Sequence, residues 1–183
     1  MPTDFALQFK PRSIRMITPS WALTLAYWLH MLATVIWIGG LAALSILVLP
    51  AARNSLDGQA YAGLLGSLQR RLDPLGWFSL VLLIGTGLVQ MSANPNYEGF
   101  LAVNNRWAIA ILLKHIFLLG MAGISATMTW GVLPGLRRAA LLQARGQETP
   151  QADRLYRREV SLLRLNFILG IVILALTAVA RVS

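Results

Sequence analysis

Histidine occurs twice in this chain, at His30 and His115, and both lie within long apolar runs where an ionisable side chain needs a reason. Insertion of a charged residue at the centre of a bilayer costs roughly 2.5 to 3.5 kcal/mol. His30 follows Trp21 by nine residues and His115 follows Trp107 by eight. At a helical rise of 1.5 Å per residue the imidazoles therefore sit about 13 and 12 Å along their helices, at nearly one depth. Two imidazoles at one depth on different helices of a small bundle match the axial demand of a b-type haem, whose iron takes one nitrogen from each face. With no third histidine, the pair is the whole supply. A hydrogen bond to a neighbouring helix is the plainer use of each ring, and another metal or a proton remains open for the pair.

The residues around them fit a cofactor pocket. Gly120, with Gly123, lies on the turns after His115 and Ala33 follows His30, so a flat ring can approach the backbone. Lys114 points about 100° away from His115 and is placed to snorkel or to meet an anionic group such as a haem propionate. Trp37, two turns after His30, is a candidate shield for a cofactor and equally a packing residue. Met31, Met91, Met121 and Met128 raise copper as the alternative, since imidazole and thioether suit Cu(I); in an apolar helix methionine also serves as filler. No paired carboxylate, nucleophile elbow, phosphate loop or dinucleotide fingerprint is evident. Zero cysteines exclude disulfides, thiolate metal sites and covalent haem attachment.

The elements that position these residues follow from composition. The 183 residues are 56% hydrophobic and 13% charged, with mean hydropathy +0.61, whereas soluble domains carry about 25% charge. Four apolar runs, about 21–49, 75–91, 107–132 and 162–180, are near the roughly 20 residues that a crossing needs. The expected fold is all-α, an integral membrane four-helix bundle over 21–183 preceded by an extramembrane segment, 1–20. The first run is longer than a signal-peptide core of about 7 to 15 residues and reads as a retained membrane helix. Asp73-Pro74 predicts the start of the second crossing, with Asp as N-cap and Pro at the first helical position.

A faint repeat links the halves. Trp21, His30, Val48 and Arg70 correspond to Trp107, His115, Val132 and Arg157 at offsets of 86, 85, 84 and 87 residues, as two tandem helix hairpins would produce.

The string Trp28-Leu29-His30-Met31-Leu32-Ala33-Thr34-Val35-Ile36-Trp37-Ile38-Gly39-Gly40 resembles the W-x-H-x-x-x-x-x-x-W-x-G-G pattern of CopD-type copper-resistance membrane domains. Leu112-Leu113-Lys114, the apolar helix ending in Leu133-Pro134, and Leu162 to Ala178 resemble that family's later helices. A more distant resemblance is to HemJ-type protoporphyrinogen oxidases, small membrane proteins with a histidine in an early helix and a lysine in a later one, places held here by His30 and Lys114. The second resemblance implies a porphyrin pocket between these helices. His115 departs from both patterns and favours a six-coordinate haem. The expected function is a bis-histidine haem b protein in electron transfer, with quinone or another redox membrane protein as partner. Its alternatives are a copper transporter using Met31 or Met121 with the histidines, a porphyrin oxidase, or an accessory subunit of a larger complex or oligomer.

The net charge of +9 is a topology signal and not a nucleic-acid footprint, because the basic residues lie between the apolar runs. Five, Lys10, Arg12, Arg15, Arg106 and Arg181, fall on the side of the termini; ten arginines fall on the other, and Lys114 completes sixteen. Since short basic loops stay in the cytoplasm, both termini of this multi-pass plasma (inner) membrane protein are expected outside. A C-terminal alkaline phosphatase fusion should be active and a C-terminal fluorescent protein dark; the opposite pair of readings means an inverted chain.

Overall fold

The computed structural model describes residues 19–97, 99–101, 103–143, 145–147 and 152–183. Most of the expected extramembrane segment, with Lys10, Arg12 and Arg15, lies outside the described residues. Four helices are each long and apolar enough to cross a membrane: α1 Ser20–Ser55, α2 Gly58–Ser92, α3 Arg106–Gln143 and α4 Ala152–Val182. No strand occurs among the described residues. The fold is an all-helical membrane bundle.

Local chemistry sets the helix starts. The Asp57 carboxylate accepts the Ala60 N–H at 2.8 Å and Asn105 Oδ1 accepts the Ala108 N–H at 2.7 Å, so each satisfies one of the N–H groups that a first turn leaves unpaired. Asn94 Oδ1 takes the Asn96 N–H at 2.9 Å and turns the chain after α2.

The start of α2 differs from the sequence expectation. Asp73 and Pro74 lie inside the helix, which begins sixteen residues before Pro74 behind the Asp57 cap. A proline removes one ladder hydrogen bond, yet membrane helices tolerate it where neighbouring helices and local adjustments satisfy the backbone.

Two other prolines leave a clearer mark. In α1 the ladder widens to a π turn at Ala43–Val48 just before Leu49-Pro50, and in α3 it widens at Thr127–Val132 just before Leu133-Pro134. Leu49 N–H bonds Leu44 O and Leu133 N–H bonds Met128 O, five residues back in each case. The wider turn makes room where a proline ring would press on the preceding carbonyls. The two π turns start 84 residues apart, in step with the sequence repeat.

The most extensive packing joins α1 to α2 and α3 to α4, giving two hairpins; α1 against α4, and the second half of α3 against α2, close the bundle. Ala33, Trp37, Leu41, Leu80, Met121 and Leu163 sit in one continuous core. Val35, Phe78, Val81 and Leu119 are exposed apolar side chains, as a lipid-facing surface requires. Trp21 and Trp28 are exposed near a helix end, where indole prefers the headgroup region. Trp107 instead is buried with Met91 and Ala108.

Glycine permits close approach at a few positions. A Cβ on Gly170 would meet the Ile38 side chain at 3.5 Å, whereas Gly39, Gly40 and Gly85 have nothing within 4 Å of such a Cβ. Gly170→Leu should therefore push α4 off α1 and cost about 1 to 3 kcal/mol by overpacking, while Gly170→Ala should change little. Reversible unfolding of purified protein in mixed detergent micelles checks this, and equal tolerance of both substitutions would contradict the packing described.

Candidate functional site

His30 is half-buried on α1 and reaches α2, where its Nδ1 lies 2.8 Å from the Thr86 hydroxyl oxygen. That hydroxyl already donates its single proton to the Leu82 carbonyl, so it can only accept from the ring. The proton of a neutral His30 is thereby assigned to Nδ1, leaving the lone pair of Nε2 available. Gly87 makes the contact possible, since a Cβ there would lie 3.5 Å from His30 Cε1.

His115 reaches the same protonation pattern by another route. Its Nδ1 lies 2.7 Å from the Ile111 carbonyl one turn back. A carbonyl only accepts, so Nδ1 donates and Nε2 again carries the lone pair. The ring stands edge-on to Phe100, with centroids 5.0 Å apart. Fixing Nδ1–H on a backbone or side-chain oxygen is how metal-binding histidines are oriented.

The residue whose charge reaches His30 is Lys114, which is half-buried on α3. His30, Thr86 and Gly87 thus form one contact group from two helices, within reach of the Lys114 charge on a third. The other residues singled out in the sequence lie elsewhere. Gly120 is next to Leu169 of α4, 3.9 Å from its Cβ position. Trp37 is buried and lines a cavity of about 90 Å³ further along the bundle, with Met128, Asp73 and Asn166. Neither this cavity nor a second one of about 450 Å³ is lined by a histidine. Met31 is 65% exposed, on the lipid side, while Met121 is buried.

A second polar group lies around that smaller cavity, and sequence reading missed it. Gln69 Nε2 donates to Glu159 Oε1, joining α2 to α4. Asn166 Nδ2 donates to Ser125 Oγ at 3.0 Å, joining α4 to α3. Asp73 bonds the Thr129 hydroxyl, and its charge reaches Glu159. Two carboxyl groups 86 residues apart in sequence are thus near enough for the charge of one to reach the other. The signal was present: 86 lies within the 84 to 87 spread of the internal repeat, so Asp73 and Glu159 occupy closely corresponding places in the two hairpins.

Four apolar helices enclosing a half-buried histidine near a lysine charge, and a separate polar cavity, define an integral membrane protein with polar groups in its interior. The family described as copper resistance protein D matches residues 66–180, more than half of the chain, and the protein belongs to that family. The matched stretch contains Lys114, His115 and the polar cavity's residues from α2, α3 and α4; His30 lies outside it. No curated protein and no solved structure matches, and the likeness to HemJ-type oxidases has no counterpart in these comparisons. No cluster of three or more His, Cys, Asp or Glu that could hold a metal ion occurs among the described residues.

The His30–Thr86 hydrogen bond generates a direct test. Thr86→Val keeps the shape but removes the acceptor, so the Nδ1–H tautomer of His30 should lose its dominance while that of His115 is unchanged. Nitrogen NMR of histidine-labelled protein reads both rings; an unaltered His30 tautomer would show that Thr86 does not set it.

Proposed function

We propose that this chain handles copper within the membrane as a transport or resistance protein, with His30 Nε2 as a ligand for the cuprous ion. The observation that carries this reading is the His30–Thr86 hydrogen bond, which supports an unprotonated Nε2 in a member of the copper resistance protein D family. Copper is the cargo here, not a resident cofactor. Imidazole and thioether are the side-chain donors that suit Cu(I), and of the buried thioethers Met121 and Met128 lie on α3 and Met91 on α2. Met128 lines the smaller cavity beside Trp37 and gives the ion a soft donor further along the bundle. The Lys114 charge near His30 opposes a cation there. That weakens the hold at the first ligand, and a conduction path needs each station weak enough to release. In this reading the termini face the exterior and the arginine-rich connections the cytoplasm of the plasma membrane, as the charge split supports.

One observation favours a second reading. Both histidines are arranged with Nδ1–H engaged and Nε2 available, which is what a bis-histidine haem b in electron transfer requires. Lys114 would then face a propionate, with Trp37 and Gly120 as wall residues.

Purified protein from its native membrane separates the two. Copper handling predicts cell copper content or copper sensitivity that depends on the chain, is abolished by His30→Ala and is largely kept by His115→Ala. It also predicts no Soret band. Stoichiometric haem lost equally in both single variants would overturn the copper reading and install the haem one.

A further inference from the structure

In and beside the smaller cavity, several buried hydrogen-bond acceptors have no partner. Glu159 is 0% and Asn166 1% exposed, yet Glu159 Oε2, Asn166 Oδ1 and Gln69 Oε1 have no partner. One N–H of each amide goes to Glu159 and to Ser125, respectively, and both amide oxygens are without a partner. Buried polar atoms without partners cost about 1 to 3 kcal/mol each, and three together in a membrane bundle mark a place where something else belongs. Gln69, Asp73 and Asn166 all line the cavity.

The occupant's chemistry follows from the donor set. Amide oxygens and carboxylates bind hard cations, whereas Cu(I) favours sulfur and imidazole. The charge of the Arg137 guanidinium reaches Asp73, and that of Asp73 reaches Glu159. With one guanidinium set against the carboxyl groups, the site lacks the charge that a divalent ion needs, and a monovalent ion is the better fit. Glu159 and Asn166 are two turns apart on α4, about 10.5 Å along its axis, too far to grip one bare ion. The cavity of about 90 Å³ holds some three waters at about 30 Å³ each, so the ion keeps part of its hydration shell.

We propose that the cavity lined by Gln69, Asp73 and Asn166, with Glu159 behind Gln69, binds a small hard monovalent cation, sodium or a hydrated proton, as a coupling ion. Gln69 also lines the larger cavity, together with Arg70, Arg137 and Tyr156, so the ion's way in passes Gln69. Glu159 supplies negative charge from behind that amide. The titratable and charged groups facing the site are Asp73 and Tyr61 from α2, Arg137 from α3, and Glu159 and Tyr156 from α4. The inference does not depend on copper being the cargo, since it concerns a different ion and other residues.

The test uses the full chain in nanodiscs of zwitterionic lipid, without copper. Tryptophan fluorescence, to which Trp37 and Trp77 at the cavity contribute, is followed while sodium chloride replaces choline chloride at constant ionic strength. In parallel, infrared spectra across a pH series in light and heavy water seek a carboxyl band. A saturable sodium response that is lost in Glu159→Gln and Asn166→Leu identifies sodium. No sodium response, with a pH-dependent, isotope-sensitive carboxyl band lost in Glu159→Gln, identifies the proton. If wild-type protein shows neither, the cavity holds water alone and the proposal is overturned, a result that needs no variant to fold. Failure of the copper reading leaves all three outcomes readable.

Discussion

Lipid offers a buried polar atom no hydrogen bond, so every polar group that this chain carries inward has to be answered by another part of the same chain or by a bound guest. That requirement shapes the interior. Between α1 and α2 it is met by His30 with Thr86 and by Gln90 Nε2 with the Ala26 carbonyl at 3.2 Å. Between the hairpins it is met by Gln69 with Glu159, and between α3 and α4 by Asn166 with Ser125. Hydrogen bonds of this type average only about 0.6 kcal/mol in membrane bundles. Their larger effect is on register, because each acceptor can be reached from one helix position only. Apolar contact is tolerant of sliding where both lipid and neighbour are hydrocarbon; polar contact is not.

The two polar groups differ in character. At the end of the bundle where α1 begins and α4 ends, the group is neutral imidazole and cationic amine, His30 with Lys114. Towards the arginine-bearing end it is carboxylate and amide, Asp73 and Glu159 with Gln69 and Asn166. An ion moving through the interior would pass from a nitrogen environment with an adjacent positive charge to an oxygen environment with negative charge. Trp37 and Met128, buried between them at the cavity wall, are the apolar boundary of the second.

How much of this the sequence discloses depends on whether the signal is local. The crossings were legible because hydrophobic length is a property of one stretch, and the two histidines stood out because each lies inside such a stretch. Asp73-Pro74 misled for the same reason: locally it reads as a cap, and only the Asp57 cap with the intervening Tyr61, Leu64, Leu65 and Leu68 shows the helix starting earlier. Glu159 gives no local signal, since it directly follows Arg157 and Arg158, yet it is fully buried, and its partner Gln69 lies ninety residues away. Thr86 carried no signal of its own among apolar neighbours; its role exists only through the ring of His30. Gly39 and Gly40 look like a packing motif but meet no neighbour closely, whereas Gly170, alone in its run, does.

The paired π turns bear on how the chain arose. Each holds one residue more than an α-helix needs at that point, as a one-residue insertion would leave it. Two insertions at equivalent places, each followed directly by Leu-Pro, are economically explained by one event in an ancestral hairpin that was later copied in tandem. On that history Asp73 and Glu159 descend from a single acidic position, and His30 and His115 from a single histidine one. Their present differences, one carboxylate against Thr129 and the other against Gln69, one imidazole against Thr86 and the other against its own backbone, are then divergence of twins rather than separate inventions.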